Sequence, residues 1–197
     1  MKKIIIGLVI AACIQFLLPL FLVIVLPILV VTTLADTEKE TNPGSGFVVC
    51  NETQSINMSM WNKAFAKANA LANSGDTFIR YSEEYNLDPV LFSAVAMHET
   101  GWGTSNAVKN YNNPGGLMNP ATNWSTLIRY STLDEGIHAM AKTLNKLINE
   151  RGLVTINDLG SAYAPLDAAN DPNGLNAHWV PTVTKFANEF GGLTMNC

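Results

Sequence analysis

Residues 97–120 read MHETGWGTSNAVKNYNNPGGLMNP and place a single carboxylate, Glu99, between an apolar run and a loop. The preceding residues are apolar at helical spacing, and Glu99 follows Val95 by four positions, so it continues the buried face. The helix is predicted to end near Gly101. Apolar neighbours, the negative end of the helix and the ring of Trp102 should all favour a protonated carboxyl at Glu99.

Helical periodicity dominates the chain around this stretch. Asp76 is predicted to cap the second helix, and Asp88 with Pro89 should begin the helix that carries Glu99. No helical period survives between Trp102 and Arg129, which predicts a loop-rich lobe or a short hairpin. The predicted helical segments are residues 60–75, 76–86, 88–100, 131–152 and 175–192.

The N-terminus is a long apolar run behind two lysines. Residues 4–31 contain no charged side chain, which is more than the roughly 20 residues that a membrane-spanning helix needs. We interpret residues 1–35 as a signal anchor that exports the rest of the chain, and residues 36–59 as a flexible linker. A signal peptide cleaved after Ala35 and a lipoprotein site at Cys13 are the alternatives.

Residues 60–197 then form one domain, with Cys50 and Cys197 near its ends. Outside the cell such a pair can oxidise, and we expect a disulfide between them. Two unrelated thiols are the alternative, because spacing alone does not show that the ends meet.

The formal net charge of −4 gives no reason to expect a nucleic-acid partner. His98, His138 and His178 share no ligand spacing, so we expect no metal site, and no cofactor motif is present. A cysteine peptidase is disfavoured because no flanking motif supports Cys50 or Cys197 as a nucleophile.

The stretches HETGWGTS and YNNPGGLM resemble the lysozyme-like peptidoglycan glycosidases, and most closely the bacterial N-acetylglucosaminidase family (mannosyl-glycoprotein endo-β-N-acetylglucosaminidase-like domains). The resemblance covers roughly residues 60–192. It implies a mainly α, lysozyme-like domain with a small lobe, and it makes Glu99 the catalytic acid. The segment at Gly115 to Met118 also resembles that of soluble lytic transglycosylases, and SAYAP, with Tyr163, resembles the aromatic wall across the cleft.

Sugar-binding residues are expected around this acid. Glycines permit close approach of the backbone to a sugar chain, asparagines offer amide donors and acceptors, and aromatic rings, Trp124 among them, offer flat faces. Trp61 and Trp179 are assigned to packing. The predicted substrate-binding residues are Trp102, Tyr111, Asn112, Asn113, Gly116, Met118 and Tyr163.

Glycosidases usually need a second group beside the acid. Asp134, Glu135 and Asp171 are the candidates, together with Asp167. Acids are also common at helix starts and in turns for structural reasons. The resembled families include members that use the substrate's own N-acetyl group or release an anhydro product, so hydrolysis and transglycosylation both remain open.

The sequence therefore predicts an enzyme that cuts the β-1,4 bonds of peptidoglycan at the outer face of a bacterial membrane. Local wall opening for a secretion or conjugation apparatus is one task that suits a single-domain, membrane-tethered hydrolase. The alternative is a non-catalytic scaffold that binds glycan strands in the envelope, because fold alone does not decide between them.

Overall fold

The computed structural model describes residues 53–166, 168 and 171–195 of the chain. These residues are mainly helical, as the sequence predicts. The α-helices are α1 (Met58–Ala66), α2 (Gly75–Tyr85), α3 (Pro89–Thr100), α4 (Asn106–Tyr111), α5 (Leu133–Asn145), α6 (Ile156–Tyr163) and α7 (Trp179–Glu189).

Short irregular helical turns supplement these helices and correct some predicted boundaries. The first predicted helix ends at Ala66, and a 3₁₀ turn at Asn69–Leu71 follows it. Asn69 has a φ of +48°, and its side chain donates to Trp102 O at 2.9 Å, so the chain breaks here to meet the loop after α3. Two further 3₁₀ turns are Pro120–Thr122 and Leu175–His178, and α5 continues into a π-helical stretch, Lys146–Glu150.

Some predicted helix starts also change, and α1 already begins at Met58, within the predicted linker of residues 36–59. Helix α2 begins at Gly75 with Ser74 as its N-cap residue, so Asp76 lies within the first turn, where its charge suits the helix dipole. Helix α7 begins only at Trp179. Pro181 is then its third residue, a position where a missing N–H leaves no intrahelical bond unmade.

Helix α3 is the centre of the domain. Asp88 caps it by accepting from Val90 N at 2.8 Å and Leu91 N at 3.0 Å, which confirms the predicted cap. Nine of its twelve residues are buried, and α7 and α2 pack against it. Gly101 ends the helix with a φ of +53°, the left-handed conformation that glycine adopts at least cost.

Asp88 also fastens the end of the described chain. Its Oδ2 accepts from Thr194 N at 2.6 Å and from Met195 N at 2.5 Å, and the side chain is almost completely buried. A carboxylate in this setting is stable only because backbone donors surround it. The N-terminus of α3 and residues 194–195 are therefore held together.

An aromatic cluster fills the core beside α3. Trp61 packs on Phe65 at 4.9 Å and on Phe190 at 5.3 Å between ring centroids. Phe78 joins Phe65 to Phe92, with centroid distances of 5.5 Å and 4.6 Å. The assignment of Trp61 to packing is confirmed by its exposed fraction of 1%.

The segment between α4 and α5 forms a small lobe, which we define as residues 112–130. Met118 and Leu127 form an antiparallel bridge, and Asn119 N donates to Thr126 O at 2.7 Å across the same hairpin. The buried side chain of Asn113 organises its base by donating to Leu117 O and Ile128 O and accepting from Leu117 N. Of the two predicted alternatives, residues 112–130 have the hairpin, whereas the first part of the same segment forms the helix α4, which was not predicted.

No helix within the described residues has the length and apolar character required to cross a bilayer. The apolar run of residues 1–35, most of the predicted linker, and both members of the predicted Cys50–Cys197 disulfide lie outside the described residues. These interpretations stay predictions.

Candidate active site

Glu99 lies in the last turn of α3, one residue before the helix ends. Its side chain is half-buried, whereas most of α3 before it is buried. Its Oε1 accepts a hydrogen bond from the indole Nε1 of Trp179 at 3.2 Å. The carboxyl group therefore has one fixed partner from α7 and retains access to solvent.

Trp179 is the residue that sequence reasoning missed at this site. It is only 5% exposed, and its assignment to packing alone is incomplete because its N–H reaches Glu99. Tyr163 stacks on its face at 5.2 Å with an interplanar angle of 19°, and His98 meets it edge-on at 5.8 Å. The indole is thus locked in the orientation that points its N–H at the carboxyl.

Tyr163 and His98 are both neutral near pH 7. Burial raises the pKa of the Tyr163 phenol, and the charge of Glu99 raises it further. Burial lowers the pKa of the His98 imidazole, although the Glu99 carboxylate partly opposes this effect. Tyr163 is therefore a hydrogen-bond donor and not a base, and His98 does not form a salt bridge with Glu99 in neutral solution.

The loop after α3 returns tightly onto α1. Thr100 Oγ1 accepts from Gly103 N at 2.9 Å, and a Cβ atom at Gly103 would overlap the carbonyl oxygen of Ala68. Trp102 has a φ of +57°, and its ring packs on Phe186 at 4.9 Å with Lys67 Nζ 4.3 Å from the ring centroid. Trp102 is thus in contact with α7 and with Lys67, the C-cap residue of α1, and only part of its surface is open to a ligand.

Tyr111 and Asn112 lie where α4 meets the lobe. The guanidinium of Arg129 lies 4.3 Å from the ring centroid of Tyr111, and Arg129 also donates to Asn110 O. Asn112 ends α4 with a φ of +53° and donates from Nδ2 to Tyr130 O at 3.1 Å. Both side chains are half-buried and keep some surface for a ligand.

Asn113 has no exposed surface that a ligand could contact. It is 0% exposed, and both its amide hydrogens and its carbonyl oxygen bond to the backbone of the lobe. The structure gives it the role of fixing the hairpin, in place of the predicted contact with a sugar. Gly116, with a φ of +60°, and Met118, 37% exposed, lie at the surface of the same segment.

Asp134 is bound to α2. It forms an ion pair with Arg80 and accepts from Tyr81 Oη at 2.7 Å. The bond from Tyr81 and the ion pair with Arg80 lower the pKa of the Asp134 carboxyl. Asp134 is therefore ionised at neutral pH, and its partners hold it in a bridge between helices.

The two other described candidates for a second acid also have backbone partners. Glu135 Oε2 accepts from Ser131 N at 2.9 Å at the start of α5. Asp171 accepts from Leu175 N and Asn176 N, both at 2.8 Å, and so closes the turn before α7. Asp167 lies outside the described residues. The three described candidates, Asp134, Glu135 and Asp171, therefore all form hydrogen bonds or ion pairs that stabilise the fold. A catalytic role would have to use the same carboxyl groups.

A groove of about 550 Å³ lies between α6 and the segment that leads into α7. Ala164, Pro165, Leu166 and Val180 give it a largely apolar wall. It begins beside the stacked pair, because Gly160, which also lines it, approaches the ring of Trp179. No group of three or more potential metal ligands occurs in the described part of the chain.

One comparison with known proteins bears on this site. The family described as mannosyl-glycoprotein endo-beta-N-acetylglucosaminidase matches residues 75–188, more than half of the chain. The match includes α2 to α6, nearly all of α7, the lobe, and the Glu99–Trp179 contact. No curated protein matches the chain.

Proposed function

Because the chain belongs to the mannosyl-glycoprotein endo-beta-N-acetylglucosaminidase family and is a glycosidase of the peptidoglycan-lytic kind, we propose that it cleaves β-1,4 bonds of peptidoglycan strands with Glu99 as general acid. The observation that carries this proposal is the placement of Glu99. It is a half-buried carboxyl at a helix end, fixed by an indole N–H and flanked by aromatic rings.

The chemistry follows from that placement. Glu99 donates its proton to the glycosidic oxygen as the bond from this oxygen to the anomeric carbon breaks. The indole of Trp179 holds the carboxyl in one orientation, so that little freedom is lost when the substrate arrives. Tyr163, neutral at the working pH, can donate a hydrogen bond to the sugar beside the acid.

The group that captures the resulting sugar cation decides between hydrolysis and transglycosylation. A water molecule gives a reducing end, whereas a hydroxyl of the same sugar gives an anhydro end. The described candidates for a second acid are bonded to other groups of the protein: Asp134, Glu135 and Asp171. This favours a reaction in which a group of the substrate itself takes the place of the second acid. Mass spectrometry of the released fragments distinguishes the two outcomes and also identifies the bond that is cut.

Glu99→Gln tests the proposal. The glutamine oxygen can still accept from Trp179, but the proton that the reaction needs is gone. Clearance of a murein suspension should fall by about 10²–10⁴-fold, with the melting temperature close to wild type. Glu150→Gln, the same change at an exposed position, is the matched control and should clear murein normally.

Two results would go against this proposal. A Glu99→Gln protein that clears murein at the wild-type rate removes Glu99 from the mechanism. A wild-type protein that sediments with murein without releasing fragments indicates a glycan-binding scaffold.

We further propose that residues 1–35 stay attached as a single-pass anchor in a bacterial membrane. The domain then faces the cell wall, where it opens the wall locally for a secretion or conjugation apparatus. The support is the uncharged run of residues 4–31 behind Lys2 and Lys3. N-terminal sequencing of the membrane-bound protein should recover the first residues, and a mature protein that begins at Asp36 would contradict the anchor.

A further inference from the structure

The tip of the lobe presents a large aromatic side chain to solvent. Trp124 is 63% exposed. Trp61, Trp102 and Trp179 each contact another aromatic ring, whereas Trp124 has no ring partner within the described residues. Packing inside the domain therefore does not explain why this position holds a tryptophan.

The backbone at this tip also disfavours a tryptophan. Asn123 and Trp124 have successive φ values of +52° and +60°, and Ser125 N donates to Thr122 O at 3.2 Å. Two residues with positive φ closed by this bond make a type I′ turn, whose second central residue is usually glycine. A bulky residue there is strained, so the ring is present at a cost to the stability of the fold.

Hydrogen bonds hold the backbone of this turn in place. Trp124 N donates to Asn119 O at 3.0 Å, and the hydroxyls of Thr122 and Thr126 are 2.9 Å apart. Ser125 Oγ donates to Thr122 O at 2.6 Å. Strain that is kept in place by surrounding bonds is characteristic of positions that contact a ligand.

The chemistry around the ring indicates which ligand. Residues 117–128 contain no charged side chain, and they supply hydroxyl and amide groups beside Trp124 and the exposed Met118. A sugar ring has an apolar C–H face that lies flat on an indole and neutral hydroxyls that bond to amides and hydroxyls. An anionic bilayer is recognised instead by Lys and Arg beside the aromatic residues, and this segment has none.

We propose that Trp124 is the stacking platform of a second sugar subsite at the tip of the lobe, in addition to the sugar position beside Glu99, and that it binds a polymeric glycan strand. The proposal rests on the proposed function for the choice of glycan, but it concerns binding and not the chemical step. Trp124 should therefore matter for long strands and be dispensable for short ones.

The test uses the full chain with Glu99→Gln, so that binding is measured without cleavage. Binding to purified glycan strands, freed of peptide, is compared between Glu99→Gln alone and its combinations with Trp124→Asn and Trp124→Tyr. Asparagine suits the backbone of the turn and removes the ring, whereas tyrosine keeps a ring. Leu175→Asn, at a position that is 64% exposed, is the matched control.

Trp124→Asn should weaken binding to long strands by about tenfold or more, as expected when a central aromatic contact is lost. Its melting temperature should equal or exceed that of the parent, because the strain is relieved. Trp124→Tyr should retain most of the binding, and Leu175→Asn all of it. With Glu99 intact, Trp124→Asn should cleave a short oligosaccharide at the wild-type rate and long strands more slowly.

Equal strand binding by the Trp124→Asn and parent proteins overturns the proposal. So does a loss confined to binding of phosphatidylglycerol vesicles, which would make the tip a membrane contact. These outcomes are separate from failure of the proposed function, because the domain can bind strands through Trp124 even if Glu99 has no part in cleavage.

Discussion

The contact between Glu99 and Trp179 joins residues 80 positions apart in the chain. The indole N–H is the fixed hydrogen-bond donor to the carboxyl, and Tyr163 and His98 hold the indole in turn. A hydrogen bond between neutral groups contributes about 0.5–1.5 kcal/mol, and one to a charged group about 1.5–3 kcal/mol. Orientation of the proposed acid therefore depends on one buried side chain of α7.

Trp179→Phe should lower kcat by about 10-fold or more with little change in KM, because the ring that stacks on Tyr163 remains while the donor is lost. The variant should also lose some stability, since phenylalanine is smaller than tryptophan. Steady-state kinetics and thermal unfolding separate the two effects. Trp61→Phe removes the same volume from the core away from Glu99 and should lose stability with kcat intact. If the Trp179→Phe protein also keeps its wild-type kcat, the indole bond has no catalytic consequence.

At this scale the sequence predicts the acid and not its partner. Glu99 is recognisable because its signal is local: an apolar helix, a glycine stop and a flanking motif within a few residues. Trp179 belongs to an ordinary amphipathic pattern, and nothing adjacent to it indicates a contact with α3. Asn113 shows the converse. Its neighbours suggest a ligand residue, but burial and three backbone hydrogen bonds give it a structural role.

Among the helices, α2 and α5 are joined by a polar bridge on one side of the domain. Arg80 and Tyr81 from α2 meet Asp134 at the start of α5, and the ring of Tyr81 stacks on His138 at 4.6 Å. Tyr85 Oη and His138 Nε2 are 2.7 Å apart one turn further along. This bridge explains the acid at position 134 without any catalytic role.

Asp134→Asn should destabilise the domain in a pH-dependent way. Its folded-state pKa is lowered, so the ionised form stabilises the fold above the unfolded-state pKa, and this contribution disappears as the pH falls through the folded value. Relative to wild type, the Tm should fall by about 1–4 °C at pH 7, and the two proteins should converge as the pH falls below the lowered pKa of Asp134. Glu83→Gln, an exposed change on α2, is the control. A pH-independent difference in Tm would show that the charge of Asp134 is not what stabilises the bridge.

Five of the seven α-helices that the structure describes lie on predicted helical segments, whereas α4, α6 and the breaks between helices were not predicted. The caps of α3 are encoded locally by Asp88, Pro89 and Gly101, and the structure has all three. The early end of α1 at Ala66 depends instead on Asn69 reaching Trp102 O, a contact 33 residues away. The periodicity of apolar residues indicates which face of a helix is buried. It does not indicate where a helix ends because of a contact with a distant loop.

In the molecule as a whole, α3 connects the last described residues of the chain to the candidate active site. Its first turn is capped by Asp88, which also holds residues 194–195, and its last turn presents Glu99 to α7. The hairpin of the lobe follows α4 and carries Trp124 at its tip. A mainly helical domain with a small lobe was within reach of the sequence, whereas the groove beside α6 depends on packing between segments that show no common pattern.

The stretch HETGWGTS combines two kinds of constraint that evolution would act on separately. Gly103 is required because any side chain there would overlap Ala68 O, and Gly101 is favoured because it ends α3 with a φ of +53°, which glycine adopts at least cost. Glu99 fills no comparable space and is half-buried. In a lineage that had lost its substrate but kept the fold, the two glycines would persist while Glu99 drifted. Within this motif the glycines record the fold, and the proposed acid, Glu99, would record whether a descendant keeps the proposed activity.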